Sequence, residues 1–160
     1  MEAKGGRFFA NDPKEDPKAM NTQPDSFFRE DTQKTSGLFE EVFETAGEAI
    51  AIFDEDGVYH AFNPAFLKLT GYSPEELKSK TWMDLTPPRY LKQGLELAKT
   101  SLETGGIVWE DKAYLAKDGR EVAVRHGYAH IYHPGLGKIV ALTLTLPKEG
   151  PLPLPQENNP

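Results

Sequence analysis

The chain has 160 residues, a net charge of −7, no cysteine and 38% hydrophobic residues, a length and balance that allow one domain with a real core and tails. The missing thiols exclude disulfides, thiolate metal sites and cysteine nucleophiles, and the negative charge argues against non-specific nucleic-acid binding and against anionic lipid surfaces. No apolar run approaches the ~20 residues of a membrane span, and Met1–Ala10 lacks the apolar stretch of a secretory signal, so the expectation is a cytoplasmic protein with neither nucleic acid nor membrane as partner.

Residues 1–36 carry Pro13, Pro17 and Pro24, charges of both signs and little aliphatic material. Such a segment buries too little apolar area to offset its ordering entropy, and it is expected to be disordered. The domain is expected over 37–146. It opens with an amphipathic helix in which Leu38, Phe39, Val42, Phe43 and Ala46 share a stripe and Gly47 is the stop. Ala49–Phe53 and Val58–Phe62 read as a hairpin around Asp54-Glu55-Asp56-Gly57. Asn63-Pro64 is an N-cap followed by a first-position proline, and Gly71 closes that helix. Ser73 and Glu76 have capping-box spacing for a second short helix. A third helix starts at Thr86-Pro87-Pro88, places Leu91, Leu95, Ala98 and Leu102 on one stripe, and ends at Gly105-Gly106. Three strands follow: 107–116, a turn at Lys117-Asp118-Gly119, 120–132, a turn at Pro134–Gly137, and 139–146. In the last strand Val140, Leu142, Leu144 and Leu146 alternate with Thr143 and Thr145. Grouped strands and helices indicate an α+β fold. Residues 147–160, with five prolines, read as an extended disordered tail.

This order, with these words at its joints, resembles the PAS family. The matching stretch runs from about Gly47 to Leu146: the opening strands and first helix (49–66), Thr70-Gly71-Tyr72-Ser73-Pro74-Glu75-Glu76-Leu77, and the Lys117-Asp118-Gly119 hairpin. The resemblance implies a five-stranded antiparallel sheet in order 2-1-5-4-3 with the middle helices on one face. It also implies a cavity between sheet and helices, for which Ile52, Asn63, Phe66, Leu67, Trp82, Leu91, Leu95, Trp109 and Leu142 are the candidate ligand-binding residues. Asn63 and Ser73 are in addition explained as helix caps, with stability as their task.

The chemistry candidates are few. His126 and His130 share a strand face but lie ~13 Å apart, too far for one metal. His60 and His133 complete the histidines, and none falls on the third helix, where haem-binding relatives place their ligand. Without cysteine, flavin–cysteinyl photochemistry is impossible. Trp109 reads as core packing, and Trp82 with Met83 as lining or plugging the cavity. No cofactor is therefore expected, with non-covalent flavin or haem as the alternatives. No catalytic motif is present, so the expectation is not an enzyme. Pro147 blocks a helical continuation after the last strand, which points to output through association: a homodimer through Leu38, Phe39, Val42 and Phe43, or a signalling partner in trans, with or without a small-molecule ligand.

Overall fold

The computed structural model describes residues 32–135 and 137–155, with side chains over 36–135 and 145–155. In chain order run α1 (Thr32–Thr45), β1 (Ala49–Phe53), β2 (Tyr59–Phe62), α2 (Pro64–Thr70), α3 (Pro74–Leu77), α4 (Pro88–Thr104), β3 (Val108–Leu115), β4 (Glu121–His133) and β5 (Gly137–Pro147). The strands form one antiparallel sheet in order β2-β1-β5-β4-β3, the α+β arrangement and strand order that the resemblance implies.

Local chemistry explains the joints. The β1–β2 turn closes because Asp54 Oδ1 accepts from the Asp56 and Val58 amides at 3.0 Å while Gly57 takes φ +83°, a conformation costly for any residue with a Cβ. Ser73 caps α3, accepting from the Glu76 amide while Glu76 accepts from the Ser73 amide. Lys117, in the β3–β4 turn, donates its amide to the Thr70 carbonyl and sets its ammonium 2.7 Å from Glu76. That hydrogen bond from Lys117 holds the Glu76 carboxyl down at about 2. Two motifs far apart in sequence thus lock one edge of the fold.

The core joins Ala49 and Ala51 of β1 to Tyr59, Phe66, Leu77, Leu85, Tyr114 and Val124. Rings of Tyr59, Phe66 and Tyr114 meet at centroid distances of 5.5 and 6.0 Å, spacing at which tilted and edge-to-face pairs are favourable. Helix α4 covers β3 and β4, and α2 covers β1.

Three expectations need correction. Helix α1 begins at Thr32, inside the segment read as disordered; residues 1–31 lie outside the described residues. The face α4 buries is Tyr90, Gln93, Gly94, Ala98 and Ser101, rotated from the leucine stripe. Leu91 and Leu102 are only half-buried and Leu95 is exposed at the helix's edge. Small and polar residues lie underneath because the helix approaches closely: a Cβ at Gly94 would stand 3.3 Å from Trp82 Cζ3, and the Gly94 carbonyl accepts from the Tyr128 hydroxyl. Finally, Pro147 belongs to β5, and the following residues fold back. The Lys148 amide donates to the Ala123 carbonyl, its ammonium lies 2.6 Å from Asp111, and the Pro153 carbonyl accepts from the buried Tyr90 hydroxyl. Residues 156–160 lie outside the described residues.

Candidate functional site

Strand alternation builds the floor of the site. Glu110, Lys112 and Tyr114 of β3 and His126, Tyr128 and His130 of β4 project to the face that α4 covers. Glu110 stands opposite His126, and His126 opposite Thr145. Between this floor and α4 lies a cavity of about 40 Å³, walled by Phe53, Trp82, Leu95 and Ala98, with Asp54 and Glu55 also among its lining.

Trp82 is held by two glycines. A Cβ at Gly57 would fall 2.8 Å from its Cδ1, and one at Gly94 would press the far side of the ring. The Trp82 amide also donates to the Gly57 carbonyl. The indole therefore closes one wall by shape, against backbone at Gly57 that a side chain would obstruct and a tight contact at Gly94.

Charge is buried in this floor. The side chains of Lys112 and Glu110 are 3% and 1% exposed, with Nζ 3.5 Å from Oε1. Glu110 Oε2 accepts from Gln93 Nε2 at 2.8 Å, whereas Oε1 receives no hydrogen bond. The Lys112 ammonium lies 5.0 Å from the Tyr114 ring centroid and 5.9 Å from that of Trp82, positions where the ring faces attract a cation. Burial pushes the Lys112 pKa down, and Glu110 opposes that shift. An incompletely hydrogen-bonded buried ion pair is costly, so the fold carries it at the expense of stability.

The histidines beside the pair are uncharged. Burial drives His126 well below its ordinary pKa, with Lys112 adding to the effect. Its Nδ1 is shared by the Tyr114 hydroxyl at 3.0 Å and the Thr145 hydroxyl at 3.2 Å. His130 Nδ1 pairs with Ser101 Oγ at 3.1 Å, and burial lowers its pKa to about 4. Burial also raises the pKa of Tyr114 and Tyr128. The rings of Tyr114, His126, Tyr128 and His130 follow one another at 5.6–5.8 Å, a continuous aromatic row along the sheet.

Of the candidate ligand residues, Trp82 and Leu95 line the cavity. Phe66 is wholly buried in the core and Leu67 packs at its margin. Leu91 sits on α4 outside the lining. Asn63 is occupied: Oδ1 accepts from the Ile50 and Phe66 amides, and Nδ2 donates to the Phe43 and Glu48 carbonyls. An amide side chain offers two donors and an acceptor oxygen with two lone pairs, so no capacity is left for a ligand. Ile52 alternates away from the buried Ala51, and the backbone of Leu142 pairs in register with Ile52 and Ala129. Trp109 lies on the opposite sheet face, 41% exposed. Sequence reasoning passed over Glu110, Lys112 and Gln93, because charged and amide side chains default to the surface. The available signal was the shared face of His126 and His130, which also carries Tyr128.

The α1 residues expected at an interface differ in exposure. Leu38, Phe39 and Val42 are 52%, 56% and 54% exposed, and Phe43 is half-buried. Among the described residues no cluster of three or more His, Asp or Glu is placed to hold a metal, and no helix is long and apolar enough to cross a membrane.

Comparison with known proteins agrees with this geometry. The family model for the PAS fold matches residues 59–145. The sensor histidine kinase TmoS of Ectopseudomonas mendocina is 29% identical over 82 residues, which make up 51% of this chain and only 8% of that kinase. A PAS domain from Colwellia psychrerythraea superposes with a TM-score of 0.65 at 20% identity, covering 71% of this chain and 97% of its own. A domain of a sensory box sensor histidine kinase/response regulator from Geobacter sulfurreducens gives a TM-score of 0.59 at 22% identity, covering 72% and 96%. With the strand order, the caps and a family match across most of the sheet, the chain belongs to the PAS family.

Proposed function

We propose that the domain senses a small molecule held beneath α4 and signals by association with a partner, without catalysing a reaction. The observation that carries this reading is the buried Glu110–Lys112 pair in an aromatic-walled cavity. Replacing such a pair with well-packed apolar side chains is often neutral or stabilising, so its presence in the floor fits a binding role better than a purely structural one. The likeness to a histidine-kinase sensor supports the same reading. Ligand binding to the folded state alone raises the melting temperature by mass action. Screening the purified chain against small polar metabolites should give a hit whose effect disappears in Ala98→Phe, which fills the cavity. If every hit stabilises Ala98→Phe equally, the site lies elsewhere.

A second reading is a ligand-free association module, in which a second copy or a partner covers α1. The exposed Leu38 and Val42 favour it, since leaving large apolar side chains wet forgoes about 1.5–3 kcal/mol each. Leu38→Glu with Val42→Glu spares half-buried Phe43. Light scattering should show a wild-type dimer and a folded monomeric variant. A wild type that stays monomeric at high micromolar concentration removes the homodimer.

A further inference from the structure

The cavity's polar groups narrow the kind of ligand, an inference that rests on the sensing role just proposed. Glu110 Oε1 is buried and receives no hydrogen bond, and Lys112 Nζ is 3.5 Å away, attracted but beyond good hydrogen-bond length. The two atoms therefore stand side by side, a strong acceptor and a strong donor that satisfy each other poorly. A hydroxyl group is both donor and acceptor. It can donate its proton to Oε1 and accept one from Nζ, giving each atom a hydrogen-bond partner at once.

Charge selects against ions. The pair is neutral as a unit, so an added cation meets Lys112 and an added anion meets Glu110, and either brings the cost of burying a further charge. His126 and His130, both held neutral by burial, offer no compensation. The Tyr114 and Tyr128 hydroxyls are engaged with His126 and the Gly94 carbonyl. The lining acids Asp54 and Glu55 add a further barrier to anions. Size sets the other limit. One water needs roughly 10–15 Å³ of such space, so about 40 Å³ takes a few non-hydrogen atoms. Phe53, Trp82, Leu95 and Ala98 supply an apolar wall for the carbon skeleton.

We infer that the cavity recognises a small neutral alcohol, of about the size of a three-carbon diol, through a hydroxyl that bridges Glu110 Oε1 and Lys112 Nζ from the cavity side.

The test is a nitrogen–proton NMR titration of the full chain with propane-1,2-diol, propionate and propylammonium. The diol should give saturable shifts at the Glu110 and Lys112 amides and the Trp82 indole, with an affinity at least about tenfold above either ion. In Glu110→Gln, which leaves Lys112 uncompensated, propionate should overtake the diol. If that variant does not fold, the wild-type ranking decides alone. An ion binding as well as the diol, or a diol response that never saturates, overturns the inference. Xenon separates the two levels of failure. Xenon shifts at Leu95 and Ala98 with no diol binding would leave the cavity reading standing and remove the alcohol. No response to xenon or to the diol would remove both.

Discussion

The Trp109 indole packs against Gly127, its register partner, on the sheet face opposite the cavity. A Cβ at Gly127 would fall 2.6 Å from Trp109 Cε3, and the Arg125 guanidinium lies 5.7 Å from the ring centroid. Alanine at 127 therefore has to displace the ring. Because Trp109 is already partly exposed, the ring can swing outward, and the cost should be modest, about 1 kcal/mol. Gly127→Ala in a Trp82→Phe background, which leaves Trp109 as the single tryptophan, should shift indole emission to the red. Unchanged emission would show that the ring does not rest on Gly127.

Asn63 joins three pieces of backbone: the end of α1 through Phe43, the start of β1 through Glu48 and Ile50, and α2 through Phe66. A cap alone is worth about 0.5–2 kcal/mol. Asn63→Ala also leaves buried backbone groups without partners, each costing roughly 1–3 kcal/mol. Urea melts should therefore show a loss above the ordinary cap range, about 3–4 kcal/mol. Asn63→Asp keeps the acceptor and loses both donors, so it should also destabilise rather than substitute. A loss below about 1 kcal/mol in the alanine variant would mean that the bonds to Phe43 and Glu48 contribute nothing.

Acid should weaken the fold before its carboxylates titrate. His130 has its pKa lowered to about 4, against about 6.5 in an unfolded chain. Above pH 6.5 neither state binds the proton and His130 has no effect. From about 6.5 down to about 4 the unfolded state takes up the proton and the folded state does not, so stability falls with pH. The contribution is roughly 2 kcal/mol after allowing for partial exposure. His126 acts in the same direction. Glu76, Asp118 and Glu121 have lowered pKa values, so their stabilisation is lost only below about 4.5. Unfolding free energies between pH 7 and 4.5 should drop less steeply in His130→Gln than in the wild type. Parallel slopes would place the acid sensitivity elsewhere.

The returning segment after β5 should contribute to stability. Ending the chain at Pro147 removes the Lys148–Asp111 ion pair and the Pro153 carbonyl that accepts from Tyr90. Tyr90 is otherwise fully buried. The expected loss is about 1–3 kcal/mol, read as a lower denaturation midpoint with cooperative unfolding retained. An unchanged midpoint would show that the contacts at Lys148 and Pro153 are energetically neutral.

Much of the fold was legible in the chain because its signals are local. Asn63-Pro64, Ser73 with Glu76, Gly57 and Gly71 each state a backbone requirement within four residues of themselves, and each is met. The strand order came with the resemblance, through motifs whose contact, Lys117 with Glu76, spans the fold.

The site was not legible in the same way. Alternation along β5 shows that Leu142 and Thr143 differ in face, but not which of them turns inward. In the fold, Thr145 is buried opposite His126, and the inward row of β1 is Ala49 and Ala51. Helical periodicity likewise groups Leu91, Leu95 and Leu102, yet α4 turns Gln93, Gly94 and Ser101 underneath. In both cases the choice was made by how closely the neighbouring layer approaches. Trp82 and the Tyr128 hydroxyl take the space beside Gly94, and Gln93 is the residue within reach of a buried Glu110. Local propensity determined where each element begins and ends. Tertiary packing alone decided which face is buried, because that depends on side-chain volumes and hydrogen-bond partners supplied from elsewhere in the chain.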